Sequence, residues 1–254
     1  MTFFRNVVFV AAIAGLLAGI VMTAMQTYAT VPLILKAETF ENSAGAAEPH
    51  HHDAAPEGST ATSEATPPAA HTHDTDESWA PADGFERFAY TAGANVVTAI
   101  GFALILVAVS EAFGGIASWR QGLFWGFAGF AVFTLAPGLG LPPELPAMPT
   151  ADLAARQVWW IGTVLATAAG LALIAFRSSI PLALLGVVLI VVPHIIGAPQ
   201  PESHESPIPA DLHHQFVVAV TVTNLIFWVV LGSIVGLIRT RFMSSETAMQ
   251  RRFA

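Results

Sequence analysis

Residues 6–29 read NVVFVAAIAGLLAGIVMTAMQTYA, twenty-four positions without a charge. A helix crossing a hydrocarbon layer needs about 17–25 such residues at 1.5 Å rise each. Arg5 precedes the run and Thr27-Tyr28-Ala29 resembles a small-residue cleavage site. A secretory core, however, is typically about 7–15 residues long, so the run predicts an uncleaved transmembrane helix, continued by the still apolar VPLIL. Five further runs follow at about 91–113, 121–139, 158–176, 180–196 and 216–238. The predicted fold is therefore an all-α polytopic membrane protein with about six transmembrane helices. The third and fifth runs are the shortest, and five spans with one of these two re-entrant is the alternative.

Composition points the same way. The 254 residues are 54% hydrophobic and 11% charged, against about 25% charged in an ordinary soluble domain. The formal charge is −8, with one lysine and nine arginines, which offers no surface for nucleic acid. There is no cysteine, which removes disulfides and thiolate metal sites. No G-x-x-x-x-G-K-[ST], H-E-x-x-H or G-x-S-x-G occurs, so no ATP site, metalloprotease or serine hydrolase is indicated.

Arginine and lysine favour the cytoplasmic flanks of spans. With the N-terminus inside, six spans put Arg5, Arg120, Arg177, Arg239, Arg241, Arg251 and Arg252 in the cytoplasm, and Lys36, Arg87 and Arg156 outside. The same topology sends sixteen of eighteen acids outside, all but Glu111 and Glu246, and gathers every histidine at the outer side. The positive-inside rule makes no reference to histidine, so this gathering supports the topology independently. The expected organisation is a first helix and extension over 1–36, an external His/acid-rich loop over 37–90, a five-helix bundle over 91–240 and a cytoplasmic Arg-containing tail over 241–254.

Residues 42–78 contain no Val, Ile, Leu, Met, Phe, Trp or Tyr, seven acids and no base. Such a segment cannot bury enough apolar surface to offset the entropy of ordering and is expected to be disordered. It spans on the order of 30 Å as a flexible chain.

Imidazole and carboxylate together suit divalent cobalt, nickel, copper or zinc, without choosing among them. The loop offers His50, His51 and His52 beside Asp53, then His71 and His73 beside Asp74; the plain alternative is a polar tether. Between the fifth and sixth spans, VVPHIIGAPQPESHESPIPADLHHQF places His194 beside helix-ending or kinking Pro193, His204 between Glu202 and Glu205, and Asp211, His213 and His214 at a helix start. If that helix begins near Pro209, Asp211 and His214 share a face and His213 points elsewhere. The proline-stiffened LAPGLGLPPELPAMPTADLAARQVWW carries Glu144 at its tip, Thr150 as a candidate cap and Trp159-Trp160 as an interfacial marker. In VPLILKAETFE, Glu38 and Glu41 stand three apart, one face if the helix continues. Gly15/Gly19, Gly122/Gly126 and Gly232/Gly236 are candidate close helix contacts, and Asn95 and Asn224 candidate interhelical hydrogen bonds.

The blocks VPLILKAETFE, SWAPADGFERFAYTAGANVVTAIGFAL, LAPGLGLPPELPAMPTADLAARQVWW, VVPHIIGAPQPES and ADLHHQFVVAVTVTNLIFWVVLG together resemble the CbtA family of cobalt transporter subunits, over nearly the whole chain outside the loop. The resemblance implies a bacterial inner-membrane protein linked to cobalamin biosynthesis. It also implies a partner, CbtB, a small single-span subunit with a histidine motif. That family is described with about five spans, where the charge count prefers six. The resemblance carries over no individual transport residue.

The expected function is uptake of a divalent metal ion, cobalt foremost, as the transported substrate, with the external His, Asp and Glu groups capturing it. A membrane-anchored capture module that hands ions to a separate permease is the second reading, and a membrane metalloenzyme the third. Expected partners are the bilayer and the CbtB-type subunit; homo-oligomerisation is left open.

Overall fold

The computed structural model describes residues 2–45 and 81–253, with side chains described over 4–41 and 81–241. Among the described residues the protein is all helical. Helix α1 spans Thr2–Ala29 and α2 Val31–Gly45, separated at Thr30. Pro32 enters α2 in its first turn, where its missing N–H costs nothing, and the Thr30 carbonyl accepts from the amides of Leu33 and Ile34, both at 3.1 Å. Helix α3, Phe85–Ala112, starts at Gly84 with φ 91° and carries Glu86 in its first turn. The expected start near Thr91 reflects only where the charges stop; the helix itself opens on the polar turn ahead of them.

Helix α4, Trp119–Phe130, runs through a π-helical turn at Ala131–Leu135 into α5, Ala136–Gly140. The wider turn comes just before Pro137, which cannot donate to the carbonyl of Phe133. Then follow α6, Leu153–Phe176, α7, Ile180–Ile196, and α8, Ala210–Phe253. Helix α6 is capped by Asp152, whose carboxylate accepts from the Ala155 amide at 2.8 Å, so the cap is Asp152 and not Thr150.

Five helical stretches are long and apolar enough to cross a membrane: Phe4–Ala29, Phe85–Ala112, Trp119–Gly140, Leu153–Phe176 and Ala210–Arg241. Helix α7 has 17 residues, about 25 Å against a hydrocarbon core of about 30 Å. It nevertheless runs antiparallel beside α6. A Cβ on Gly170 would lie 2.5 Å from the Gly186 carbonyl, and one end of α7 brings His194 to Trp159, ring centroids 5.9 Å apart. Helix α7 therefore returns the chain to the end from which α6 departs.

Close backbone approach holds the bundle together. A Cβ on Gly15 would meet the Ile100 backbone at 2.5 Å and one on Gly19 the Val96 Cα at 2.7 Å, which sets α1 against α3. Gly122 and Gly126 of α4 lie against Gly232, Gly236 and the Trp228 carbonyl of α8. All three expected glycine pairs line helix contacts, two of them on the two sides of the α4–α8 contact; Gly170 with Gly186 adds a third contact, between α6 and α7. The core between them is Ala11, Ala14 and Ala18 with Ala99, Ala103, Trp228, Leu231 and Val235. Asn95 Nδ2 donates to Thr23 Oγ1 at 3.1 Å and Gln26 Oε1 at 2.7 Å, across to α1. Asn224 does not bridge helices: its Nδ2 donates to the Val220 carbonyl of its own helix at 2.9 Å.

These contacts sort the ends of the bundle. Arg239 Nε donates to Glu111 at 2.7 Å and its Nη1 to the Ile116 carbonyl, while Phe113 stacks on Phe176 at 4.2 Å. Gly115, with φ 74°, leaves the room that the Arg239 guanidinium fills. The opposite end carries Glu38, Arg87, Glu144, Arg156, His194 and His213.

Candidate functional site

The loop between α5 and α6 shapes the histidine-bearing end. Leu145 inserts, 3% exposed, among Ala37, Ile208, Leu212 and Phe216, so an apolar anchor ties the loop to α2 and α8. The chain turns back at Ala147, φ 65°, where the Met148 amide donates to the Leu145 carbonyl at 3.2 Å. This anchoring brings the Pro143 carbonyl to the first turn of α8, where His213 Nε2–H donates to it at 3.1 Å. In the neutral ring that hydrogen bond leaves Nδ1 as the lone-pair nitrogen.

Glu144, next to Pro143, is held by Arg156 at 2.9 Å, with 21% and 28% of the two side chains exposed. Glu38 of α2 is gripped by both Arg87 nitrogens, at 2.5 and 3.2 Å, and the same guanidinium reaches Asp83 at 3.1 Å. Both carboxylates thus sit in charge-assisted pairs that fix their direction. Glu41 is exposed.

His194 occupies the last turn of α7, one residue after a proline that remains inside the helix. Trp159 Nε1 donates to the Pro193 carbonyl at 3.2 Å and presents its ring to the imidazole at 73°. Gly140 permits this, since a Cβ there would strike the Trp159 ring. His194 is half-buried, and no hydrogen bond to its ring nitrogens occurs among the described residues. His204, Asp211 and His214 are exposed.

The expected residues therefore come together at one end but not at one point. Among the described residues no three His, Asp or Glu side chains converge as a metal cage. His50, His51, His52, His71 and His73 lie outside the described residues. The expected loop over 37–90 and disorder over 42–78 are corrected at their start, because α2 continues as helix to Gly45; residues 46–78 lie outside the described residues. Sequence reasoning counted Arg87 and Arg156 as charges and missed them as partners. The signal was available: they are two of three bases on an otherwise acidic end, and a half-buried guanidinium requires a carboxylate.

Residues 4–240 match the family model CbtA, described as probable cobalt transporter subunit. No curated protein and no solved structure matches.

Proposed function

The chain belongs to the CbtA family of cobalt transporter subunits, and from that premise we propose that its histidine-bearing end is the external mouth for a divalent metal ion, cobalt foremost, entering across the bacterial inner membrane. The capture groups in this reading are His194, His204, His213, His214 and Asp211, with Glu144, Glu38 and Glu41 as the acidic rim. His50, His51, His52, His71 and His73 raise the local ion concentration above it. The supporting observation is the uneven division of groups along the bundle: among the described residues the half-buried His194 and His213 lie at one end with Glu38, Glu144, Arg87 and Arg156, while Arg5, Arg120, Arg177, Arg239 and Arg241 lie at the other with Glu111.

An arriving dication competes with Arg87 and Arg156 for the carboxylates of Glu38 and Glu144, so capture and release of those pairs are linked. Inward movement gains about 2.3 kcal/mol per charge per 100 mV of negative-inside potential, or about 4.6 kcal/mol for a dication, a gain that needs no nucleotide hydrolysis. A small single-span CbtB-type subunit is the partner in this reading.

Uptake of radioactive cobalt by cells lacking other cobalt importers, with and without the chain and its partner, is the deciding measurement; equal uptake ends the proposal. The double variant His194→Ala/His213→Ala is expected to raise half-saturating cobalt at least tenfold, equivalent to about 1.4 kcal/mol, with uptake at saturation retained.

One observation favours the second reading, a capture module feeding a separate permease. Glu38 and Glu144 are already paired and no cage is assembled among the described residues, so the described residues offer a collecting surface rather than a closed site. Sealed vesicles containing the purified chain separate the two: cobalt bound without vectorial entry supports capture, and entry without any other protein supports transport.

A further inference from the structure

The α6–α7 hairpin meets the rest of the bundle chiefly along α5 and the π-helical turn. Beyond that contact, toward the arginine-rich end, α3, α4 and α6 part around a crevice of about 450 Å³. Small side chains create it: Ala128 and Gly129 on one wall, Ala168, Ala172 and Ala175 on the other. Its lining is hydrocarbon and aromatic apart from the amide of Gln121, and the stacked pair Phe113–Phe176 lies at its end. A water-soluble ligand would find almost no hydrogen-bonding partner there, whereas an alkyl chain loses nothing by leaving the bilayer for it.

The mouth carries the second half of the observation. Arg120 immediately precedes the lining residue Gln121, and Arg177 immediately follows the lining residue Phe176. Both are exposed. Arg87, Arg156 and Arg239 are each neutralised by a carboxylate, but among the described residues Arg120 and Arg177 have no acidic partner. Arg120 instead lies over Trp119, 5.6 Å from the ring centroid, which holds the guanidinium at interfacial depth. An apolar slot within the hydrocarbon, ending beside two unneutralised guanidinium groups, is complementary to one occupant: an alkyl chain with a phosphate at its head.

We propose that this crevice binds an anionic phospholipid of the surrounding bilayer, one acyl chain lying along Ala168 and Ala172 and the phosphate held by Arg120 and Arg177. The site is independent of the histidine-bearing end and of whether the chain transports or only captures metal.

The test uses the full chain in nanodiscs of mixed phosphatidylglycerol and phosphatidylcholine, released into the gas phase for native mass spectrometry. The expected result is retained phosphatidylglycerol over phosphatidylcholine by fivefold or more. Arg120→Gln/Arg177→Gln removes the preference, Arg120→Lys/Arg177→Lys keeps most of it, and Ala172→Phe, which fills the slot without touching charge, removes retention of both lipids. Folding of each variant is checked by its elution as a monodisperse peak; because Arg120 and Arg177 are exposed, their variants fold whatever becomes of Ala172→Phe. Equal retention of the two lipids by the unaltered chain, or an unchanged preference in the Gln pair, overturns the proposal. So does a cross-link from position 124 to a partner helix in place of lipid.

Discussion

Among the described residues Arg87, Arg156 and Arg239 are held by carboxylates, and the three pairs do not carry equal weight. The Arg239–Glu111 pair is the least exposed, at 15% and 21%, and the same guanidinium satisfies the Ile116 carbonyl. Arg239→Ala strands a half-buried carboxylate and an acceptor together. The expected loss is about 2–3 kcal/mol, below the roughly 3–5 kcal/mol of a fully buried pair because water still reaches this one. Thermal unfolding in detergent beside Lys36→Ala, an exposed change worth within about 0.5 kcal/mol, checks it; equal midpoints would show that the pair contributes nothing. Asn95→Val removes two hydrogen bonds to α1 and is expected to cost about 0.6–1.7 kcal/mol, whereas Asn224→Val, whose amide serves only its own helix, should cost less. The two asparagines look alike in sequence. Their directions differ because one faces a neighbouring helix and the other faces back along its own.

At the scale of elements, the glycines determine how close helices come. Gly126 and Gly232 place the backbones of α4 and α8 in direct contact, so Gly126→Val must push the helices apart, at about 1–3 kcal/mol or more. Gly162 of α6 meets nothing within 4 Å, and Gly162→Ala should be neutral or slightly stabilising. Elution profile and melting midpoint distinguish these outcomes; a tolerated Gly126→Val would mean that α4 and α8 do not pack through their glycines. The α1–α3 and α4–α8 contacts were legible in sequence because each of their glycines has a partner four residues away on its own helix. Gly170 and Gly186 have none, so only the antiparallel register of α6 and α7 pairs them. Helix α7 itself was legible to the residue, Ile180–Ile196, because Pro181 and Gly197 bracket it, yet its length alone does not say where its far end arrives.

For the whole molecule the question is which end faces outward. The chain has no cysteine, so single cysteines introduced on exposed loops report sidedness cleanly. Ser203→Cys, between α7 and α8, is expected to react with a membrane-impermeant maleimide on intact spheroplasts, and Ser178→Cys, between α6 and α7, only after permeabilisation. The reverse pattern would invert the charge-based topology and the proposed direction of metal entry with it. Excision of residues 42–78 belongs to the same scale. If the loop concentrates ions, uptake falls at low cobalt and recovers at high cobalt; loss at every concentration would make the segment part of the gate.

The apolar runs that become membrane-length helices, and the order of charges between them, could be read from the linear sequence. A hydrocarbon layer admits only long apolar runs with internally satisfied backbones, and charged residues are costly within it, so runs and charges are written in linear order. The sequence also determined which residue types gather at which end, since even and odd connections alternate sides. Only the folded arrangement shows which of those residues are already paired with one another. Glu38 meets Arg87 across 49 positions and Glu111 meets Arg239 across 128, and His213 finds the Pro143 carbonyl across 70. Such partners are set by helix register and by an anchored loop, both products of side-chain packing between segments that no local pattern connects.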